Sequence, residues 1–478
     1  MNTKKMYSCY KKISSDTLTP IQVYLRVRDS FEKPLLLENS EILNRKHGYS
    51  YICLNPLSSI QIEDKAFYID NEKVDSNQSI TDFISNYIKS FSVEKFNFPF
   101  TSNGLFGYTG YDTIQYAEDI KLNKSGESIP TLFYAIYQYV LVFDHQYDEL
   151  YIFSHHTEQE TAESNLDNIS SHIVNKPANV YDFYTIGTEE TEIDDNSFKD
   201  MVSTAKKHCL RGDVFQMVLS RKFTQHFNGD EFNVYRALRS INPSPYLFYL
   251  DYGSFKLFGS SPESQIIVKD NKLTVHPIAG TVKRSGDETE DLLAAERLKN
   301  DPKENAEHVM LVDLARNDLS KNATGVTVNY YKELHSYSHV IHMVSEVSGE
   351  LRENHQAYNA LLDAFPAGTL SGAPKHKAMQ LIHEYETSGR SFYGGSVGYI
   401  DFNNQTQHAI IIRSFLSKNN ILHYQAGAGI VHSSNEESEL QEVNNKINAL
   451  RKAIQNANSN NNLKMINKTE DETVANIR

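Results

Sequence analysis

Three chain reversals written between Ser261 and Ile430 commit that stretch to antiparallel sheet. The β-rich runs SPESQIIVK and KLTVHPIAGT flank Asp270-Asn271, residues that tolerate the left-handed backbone of a two-residue hairpin turn. Counting outward from this turn predicts Glu263 opposite Ile278, so that Glu263 and the Ala279-Gly280-Thr281 step share the open end of one hairpin. The runs YGGSVGYIDF and QTQHAIIIRS reverse at Asn403-Asn404, and the same count sets Tyr393 beside Arg413 on neighbouring strands. A third strand, ILHYQAGAGI, follows the turn Lys418-Asn419-Asn420 and carries Gly427, Ala428 and Gly429 to the same edge.

Several residues at these strand ends are chemically expensive to leave alone. Arg413 closes the apolar run AIII, where a buried guanidinium requires a partner. Its planar fork suits a carboxylate ligand, and an internal ion pair is the alternative. Small residues from Gly427 to Gly429 permit a ligand to approach the backbone N–H groups, or simply allow close packing. Asp301-Pro302 is an N-cap followed by a proline at the first helical position, which puts Glu304 and Glu307 on one helix face. Glu439 and Glu442 repeat that spacing on a helix that continues through Lys446, Ala449 and Leu450. Two such carboxylate pairs suit a hard dication that keeps waters, Mg²⁺ rather than zinc. The structural alternative is a capping-box role for Glu304 and a macrodipole role for Glu436, Glu437 and Glu439.

The first 187 residues read as a sheet-based domain, with strands in QVYLRVRD, YSYICLNPL and TLFYAIYQYVLVFDH and a helical stretch from His156 to Asn175. TEETEIDDNS, residues 188–197, reads as a solvated acidic linker. A second domain, 198–455, starts with a helix capped by Asn196 or Ser197 and striped by Phe198, Met201, Val202, Ala205 and Cys209, then mixes helices with antiparallel strands. Residues 456–478 are Asn-rich and aperiodic, the pattern of a disordered tail.

The formal net charge of −14 opposes general affinity for nucleic acid or an anionic membrane, so an anionic ligand needs a local cationic device. Cys9, Cys53 and Cys209 have no paired spacing, which fits a reducing compartment. No run of about 18 apolar residues and no leader-like apolar segment occurs, so a cytoplasmic protein without membrane insertion is expected.

SPES, PIAGT, KENAEHVMLVDLARNDL, HVIHMVSEVSGEL, PAGTLSGAPK, FYGGSVGY, AIIIRS and QAGAGIVHSS, in that order across residues 212–450, resemble the chorismate-utilising enzymes. LLLEN at 35–39, GLFGY at 104–108 and YAIYQYVLVFDH at 134–145 extend the likeness to the anthranilate synthase component I branch in particular. The resemblance implies an α+β fold of two large antiparallel sheets packed orthogonally, with surrounding helices and the active site in the cleft between the sheets. It implies that Glu307 and Glu442 bind Mg²⁺ with support from Glu304 and Glu439, facing the ring carboxylate of chorismate. Tyr393 and Arg413 would take the enolpyruvyl carboxylate, and Gly280, Thr281, Gly427, Ala428, Gly429 and Lys446 would complete the substrate contacts. Glu263 would protonate the departing C4 hydroxyl while ammonia attacks C2, and His342, with His339 as a rival, would assist elimination of pyruvate. Thr369 would position the ligand.

Relatives differ chiefly in the nucleophile. Isochorismate and salicylate synthases carry a lysine base where this chain has Gln216, and aminodeoxychorismate synthases commonly carry a lysine where it has Ala279. The resemblance therefore implies external ammonia, delivered by a separate glutamine amidotransferase subunit in a heterotetramer of two chains of each kind. Leu36–Ser40 and Asn242–Leu247 resemble the segments of a tryptophan inhibitor site, which Asn39, Ser40, Pro245, Tyr246 and Leu247 would line; Asn39 stands where serine is usual. Two other readings stand beside this one: an aminodeoxychorismate synthase component I, and a non-catalytic amino-acid-binding regulatory protein. The second leaves no reason for Glu263, Glu307, His342, Arg413 and Glu442 to occur together.

Overall fold

Two strands in the N-terminal third are long enough to belong to two sheets at once. Tyr49–Glu63 and Leu132–Asp144 pair antiparallel from Tyr49↔Asp144 to Ile62↔Leu132 in the computed structural model, which describes residues 3–39, 48–74, 78–337 and 340–458. From one half of this pair a sheet runs through Leu35–Asn39, Tyr246–Asp251, Lys256–Ser261, Ser414–Lys418 and Ile421–Ile430 to Gln216–Gly229, with Phe183–Thr191 beyond it. From the other half a second sheet runs through Gly104–Thr109, Ser396–Asp401, Thr406–Ile410, Ser264–Lys269 and Lys272–Val275 to Val340–Leu351, with Ala323–Ser336 beyond it.

The apolar surfaces sort these elements into layers. Tyr51, Cys53, Phe106, Tyr137, Phe248, Leu257, Ala409 and Leu416 form a core to which both sheets contribute. The first sheet buries its other face under the helices Pro20–Val27, Asp195–Arg211, Phe232–Ile241 and Glu436–Ala457. The second buries its own under Ile80–Lys89, Pro302–Ser320 and Ala357–Ala364. The result is the expected α+β arrangement of large antiparallel sheet flanked by helices.

The turns obey the chemistry read from them. Asp270 and Asn271 have φ of +50° and +63°, and Asn419 and Asn420 have +52° and +58°, as a two-residue hairpin of primed type demands. At the third reversal only Asn404 is left-handed, and Asp401 Oδ1 accepts from the N–H groups of both Asn403 and Gln405 at 2.8 Å, holding a slightly longer loop.

Three local expectations are corrected. QVYLRVRD is not a strand: Pro20–Val27 is helical, because Thr19 caps the Gln22 N–H, Pro20 starts the first turn, and Pro20, Val23, Tyr24 and Val27 bury one face at helical spacing. The acidic segment 188–197 is not an irregular linker. Its first residues end the Phe183–Thr191 strand, and Asp194, not Asn196 or Ser197, caps the next helix through the Ser197 N–H (2.8 Å). Strands from both sides of that segment also share each sheet, Leu35–Asn39 pairing with Tyr246–Asp251 and Gly104–Thr109 with Ser396–Asp401. At the C-terminus the last helix runs to Ala457, and the rest of the 456–478 segment, from 459, lies outside the described residues.

Candidate active site

The Asp270-Asn271 hairpin does not reach Glu263, since its ladder ends at Ile267↔Thr274. Glu263 is instead set by the neighbouring strand: its carbonyl accepts from the Ile410 N–H at 3.0 Å as Ser264–Lys269 starts beside Thr406–Ile410. That placement brings its side chain to the short 3₁₀ turn Gly368–Leu370, where the Thr369 hydroxyl donates to the carboxyl (3.2 Å to Oε1, 3.3 Å to Oε2). Burial pushes the Glu263 carboxyl up to about 8, against the opposing pull of Thr369, Arg413 and Lys446. A carboxylic acid that keeps its proton at neutral pH can act as a general acid.

The strand Ile278–Lys283 pairs with Val340–Leu351 through a bulge between Ala279 and Thr281. Gly280 occupies the bulge at φ +75°, and a Cβ there would lie 2.6 Å from Leu298 Cδ1 and 3.1 Å from Glu304 Oε2, so no other residue fits without displacement. The bulge puts Thr281 opposite His342, with Thr281 Oγ1 2.9 Å and the Gly280 carbonyl 3.4 Å from Nδ1. A carbonyl only accepts, so the Gly280 contact places the ring proton on Nδ1 and leaves the Nε2 lone pair free. Burial lowers the His342 pKa to about 4, which keeps the imidazole neutral. The rival His339 lies outside the described residues.

Asp301 caps the Pro302–Ser320 helix by accepting from the Lys303 and Glu304 N–H groups (2.8 and 3.1 Å), as its sequence predicts. Glu304 and Glu307 on this helix face Glu439 and Glu442 on Glu436–Ala457. Glu304, Glu307 and Glu439 all hold their protons above the usual carboxylate range, first through burial and then through Glu307 and Glu442 for Glu304, and through Glu442 for the other two. The cations present are Lys303, 3.7 Å from Glu439, and Lys446, 2.7 Å from Glu442. Among the described residues no three acidic or His/Cys side chains converge as a ready metal cage. The donor set nonetheless fits Mg²⁺, which takes one or two carboxylates and fills its octahedron with water and substrate oxygens. Crowded carboxylates with raised pKa values are what a bound dication would relieve.

Tyr393 and Arg413 both lie just past the open end of the second hairpin, whose ladder stops at Ser396↔Ile410. Gly394 N–H donates to Ile411 O (3.0 Å) and Ile411 N–H to Gly395 O (2.8 Å), which carries the predicted register to the doorstep of both residues. Arg413 then turns out of the strand at φ +49°. Its Nη1 donates to Asn242 Oδ1 at 3.2 Å, and its charge bears on both Glu263 and His342. Tyr393 is 3% exposed and its hydroxyl takes a backbone hydrogen bond from Gly427. Gly427 and Gly429 pair with Ser220 and Val218, while Ala428 between them is buried in the core under the first sheet, so it can lend only backbone. Lys446 donates to the Gly427 carbonyl at 2.8 Å as well as to Glu442.

Two contacts were missed in the sequence. Gln216, noted there only as something other than lysine, donates to Glu307 Oε1 at 3.3 Å and lies against Gly429, where a Cβ would sit 2.2 Å from its Nε2. Its Oε1 is buried without a hydrogen-bond partner. Asn242, read as part of a regulatory segment, accepts from Arg413 through its Oδ1. Only alternation along the strand, which puts Gln216 on the face of Val218 and Ser220, could have pointed to the first; nothing in the sequence pointed to the second. Of the expected inhibitor site, Asn39, Tyr246 and Leu247 do line one cleft, together with Tyr49, Tyr51 and Tyr399. Pro245 precedes this strand, and Ser40 lies outside the described residues.

A buried acid beside a threonine, a neutral histidine on a glycine bulge, an arginine past a strand end and glutamates facing one another from two helices are the chemical groups of an α+β enzyme. Residues 42–452 match the chorismate binding enzyme family, and the chain belongs to it. It is 38% identical to anthranilate synthase component 1 of Lactococcus lactis over 462 residues, 93% of this chain and 99% of that protein. The same-named protein of Aquifex aeolicus is 36% identical, over 93% of this chain and 94% of its own length. The crystal structure of anthranilate synthase component I from Streptococcus pneumoniae superposes with a TM-score of 0.78 at 32% identity, covering 92% of this chain and 99% of that one. The menaquinone-specific isochorismate synthase of Escherichia coli shares the fold, with a TM-score of 0.74 at 19% identity over 95% of each chain. Among the described residues no helix is long and apolar enough to cross a membrane.

Proposed function

We propose that this chain is the synthase component of an anthranilate synthase. It adds ammonia to C2 of chorismate with loss of the C4 hydroxyl, then expels pyruvate from the ring, and it takes its ammonia from a partner glutamine amidotransferase. The observation that carries the choice of nucleophile is Gln216: a neutral amide stands in the site against Glu307, where a base for water would be needed to make isochorismate. Ala279, buried beside the Gly280 bulge, offers no side-chain amine in its place.

In this reading Glu263 hands its proton to the leaving C4 oxygen, and the Thr369 hydroxyl holds the carboxyl in place. His342, neutral and with Nε2 free, then takes the C2 proton as the C3–O bond to the enolpyruvyl group breaks and the ring becomes aromatic. Arg413 and Tyr393 bind the enolpyruvyl carboxylate. When bound between Glu307 and Glu442, Mg²⁺ would supply positive charge for the ring carboxylate. Support for tryptophan inhibition comes from the cleft that Asn39, Tyr246 and Leu247 share.

Purified chain incubated with chorismate, Mg²⁺ and an ammonium salt should yield fluorescent anthranilate and an equal amount of pyruvate. Isochorismate, or the para-amino product alone, would refute the reading. Exchanging His342 for a residue without a base, as in His342→Met, should let an aminated ring that still carries the enolpyruvyl group accumulate, seen by chromatography and mass. Unchanged anthranilate formation by that variant would remove His342 from the elimination step.

A further inference from the structure

The strand Gln216–Gly229 has an interrupted edge. One side pairs with Ile421–Ile430 from Met217 to His226. The other pairs with Gly372-Ala373 only at Gln216 and Met217, and with Phe183–Thr191 only from Phe223 onward. Backbone groups in the gap are buried and must find partners. Val218 N–H donates to Ser371 O (2.9 Å), Val218 O accepts from Arg390 Nη2 (2.7 Å), and Ser220 N–H donates to Glu386 Oε1 (2.9 Å). An ion pair therefore stands where a strand would, with Arg390 2% and Glu386 5% exposed.

Completing a sheet edge uses only part of this guanidinium. Arg390 Nε and Nη2 bind both Glu386 oxygens at 2.8 and 2.6 Å, and Nη1 donates to Leu370 O at 2.5 Å, the residue next to Thr369. The face of the guanidinium lies 4.9 Å from the Tyr111 ring and 5.7 Å from the Tyr393 ring. Tyr393, the Thr369 turn and the strand face that carries Gln216 thus meet on one buried cation. We propose that Arg390, itself fixed by Glu386, is a positioning residue that sets the Tyr393 ring and the Thr369 turn against the Gln216 strand. The assignment rests on the chorismate-site reading given above. Lysine cannot substitute for it, because a single ammonium can neither span these acceptors in one plane nor stack on the two rings.

Four variants test this: Arg390→Lys, Glu386→Gln, Tyr393→Phe and the Arg390→Lys/Tyr393→Phe double variant. Each is assayed for kcat and chorismate KM with saturating ammonium, for melting temperature, and for chorismate binding by calorimetry. Arg390→Lys should raise KM and the binding Kd about 10-fold or more, beyond any loss of kcat, since a displacement of ~1 Å at a site can cost on the order of 100-fold. Glu386→Gln, which keeps the size and one acceptor oxygen, should move both in the same direction by less. In the double variant Tyr393→Phe should cost almost nothing further, because the ring has already lost its placement. Should Arg390→Lys not fold, Glu386→Gln and its combination with Tyr393→Phe carry the same comparison. The proposal is overturned if these variants lower only the melting temperature and leave KM and Kd at the parent values, or if the two substitutions act independently. A parent chain that binds chorismate but makes no anthranilate would count against the proposed function, and the Kd comparison would still decide the role of Arg390.

Discussion

Glu263→Gln is expected to lower kcat by roughly 10²–10⁴-fold, the usual contribution of a general acid, with a smaller effect on chorismate KM. The amide keeps the shape and can still accept from Thr369, but it has no proton to give the C4 oxygen. The parent enzyme should also lose kcat/KM as pH rises through about 8, where the Glu263 carboxyl ionises. The sign for stability follows from the same shift. A carboxyl raised in the folded state is protonated in both folded and unfolded chains below its ordinary pKa of 4.5, so it makes no difference there. Between 4.5 and about 8 only the unfolded chain ionises, and stability falls as pH rises. Glutamine removes that loss. Glu263→Gln should therefore melt higher than the parent at pH 8 and level with it near pH 4, by calorimetry. An inactive variant that melts lower at both pH values would mean damage to the fold and not the loss of an acid.

The second large effect concerns the facing glutamates. Chelation with EDTA should abolish anthranilate formation, and added Mg²⁺ should restore it. Glu307→Gln should raise the Mg²⁺ concentration for half-maximal activity by at least about 100-fold, since even groups that only support ligands contribute roughly 10–100-fold. Removing one of four crowded carboxylates also relieves repulsion, because the Glu307 charge raises the Glu304 pKa and the Glu442 charge raises that of Glu307. The metal-free Glu307→Gln protein should accordingly be at least as stable as the metal-free parent, and should gain less in melting temperature when Mg²⁺ is added. A full Mg²⁺-induced shift in the variant would remove Glu307 from the metal site.

How much of this could be read beforehand depended on range along the chain. Hairpin turns at Asp270-Asn271 and Asn419-Asn420 and the Asp301 cap depend on a few neighbouring residues, and all three formed as expected. In the helix Pro20–Val27 the β-branched residues mimic a strand, while Thr19 and Pro20 carry the better signal. Glu263 shows a subtler failure. Counting from its turn was arithmetically sound, yet the ladder opened after Ile267 and the residue took its place from Ile410, a strand about 150 residues away in sequence.

The resemblance to the chorismate-utilising enzymes marked a candidate acid, a candidate base and the glutamine and alanine that stand where relatives carry lysines. The sequence by itself determined an arginine at the end of an apolar run and two glutamate pairs that could do chemistry. Residue type and local spacing are enough for that, because they set proton affinity, charge and helix face. Only the tertiary structure decided what state those groups are in and what holds them. Glu263 is a protonated acid because distant strands bury it, His342 is neutral for the same reason, and Arg390 reaches three separated segments of the site only once the sheet edge leaves a gap for it. Desolvation and long-range hydrogen bonds act through space, and the linear chain does not record which residues will share it.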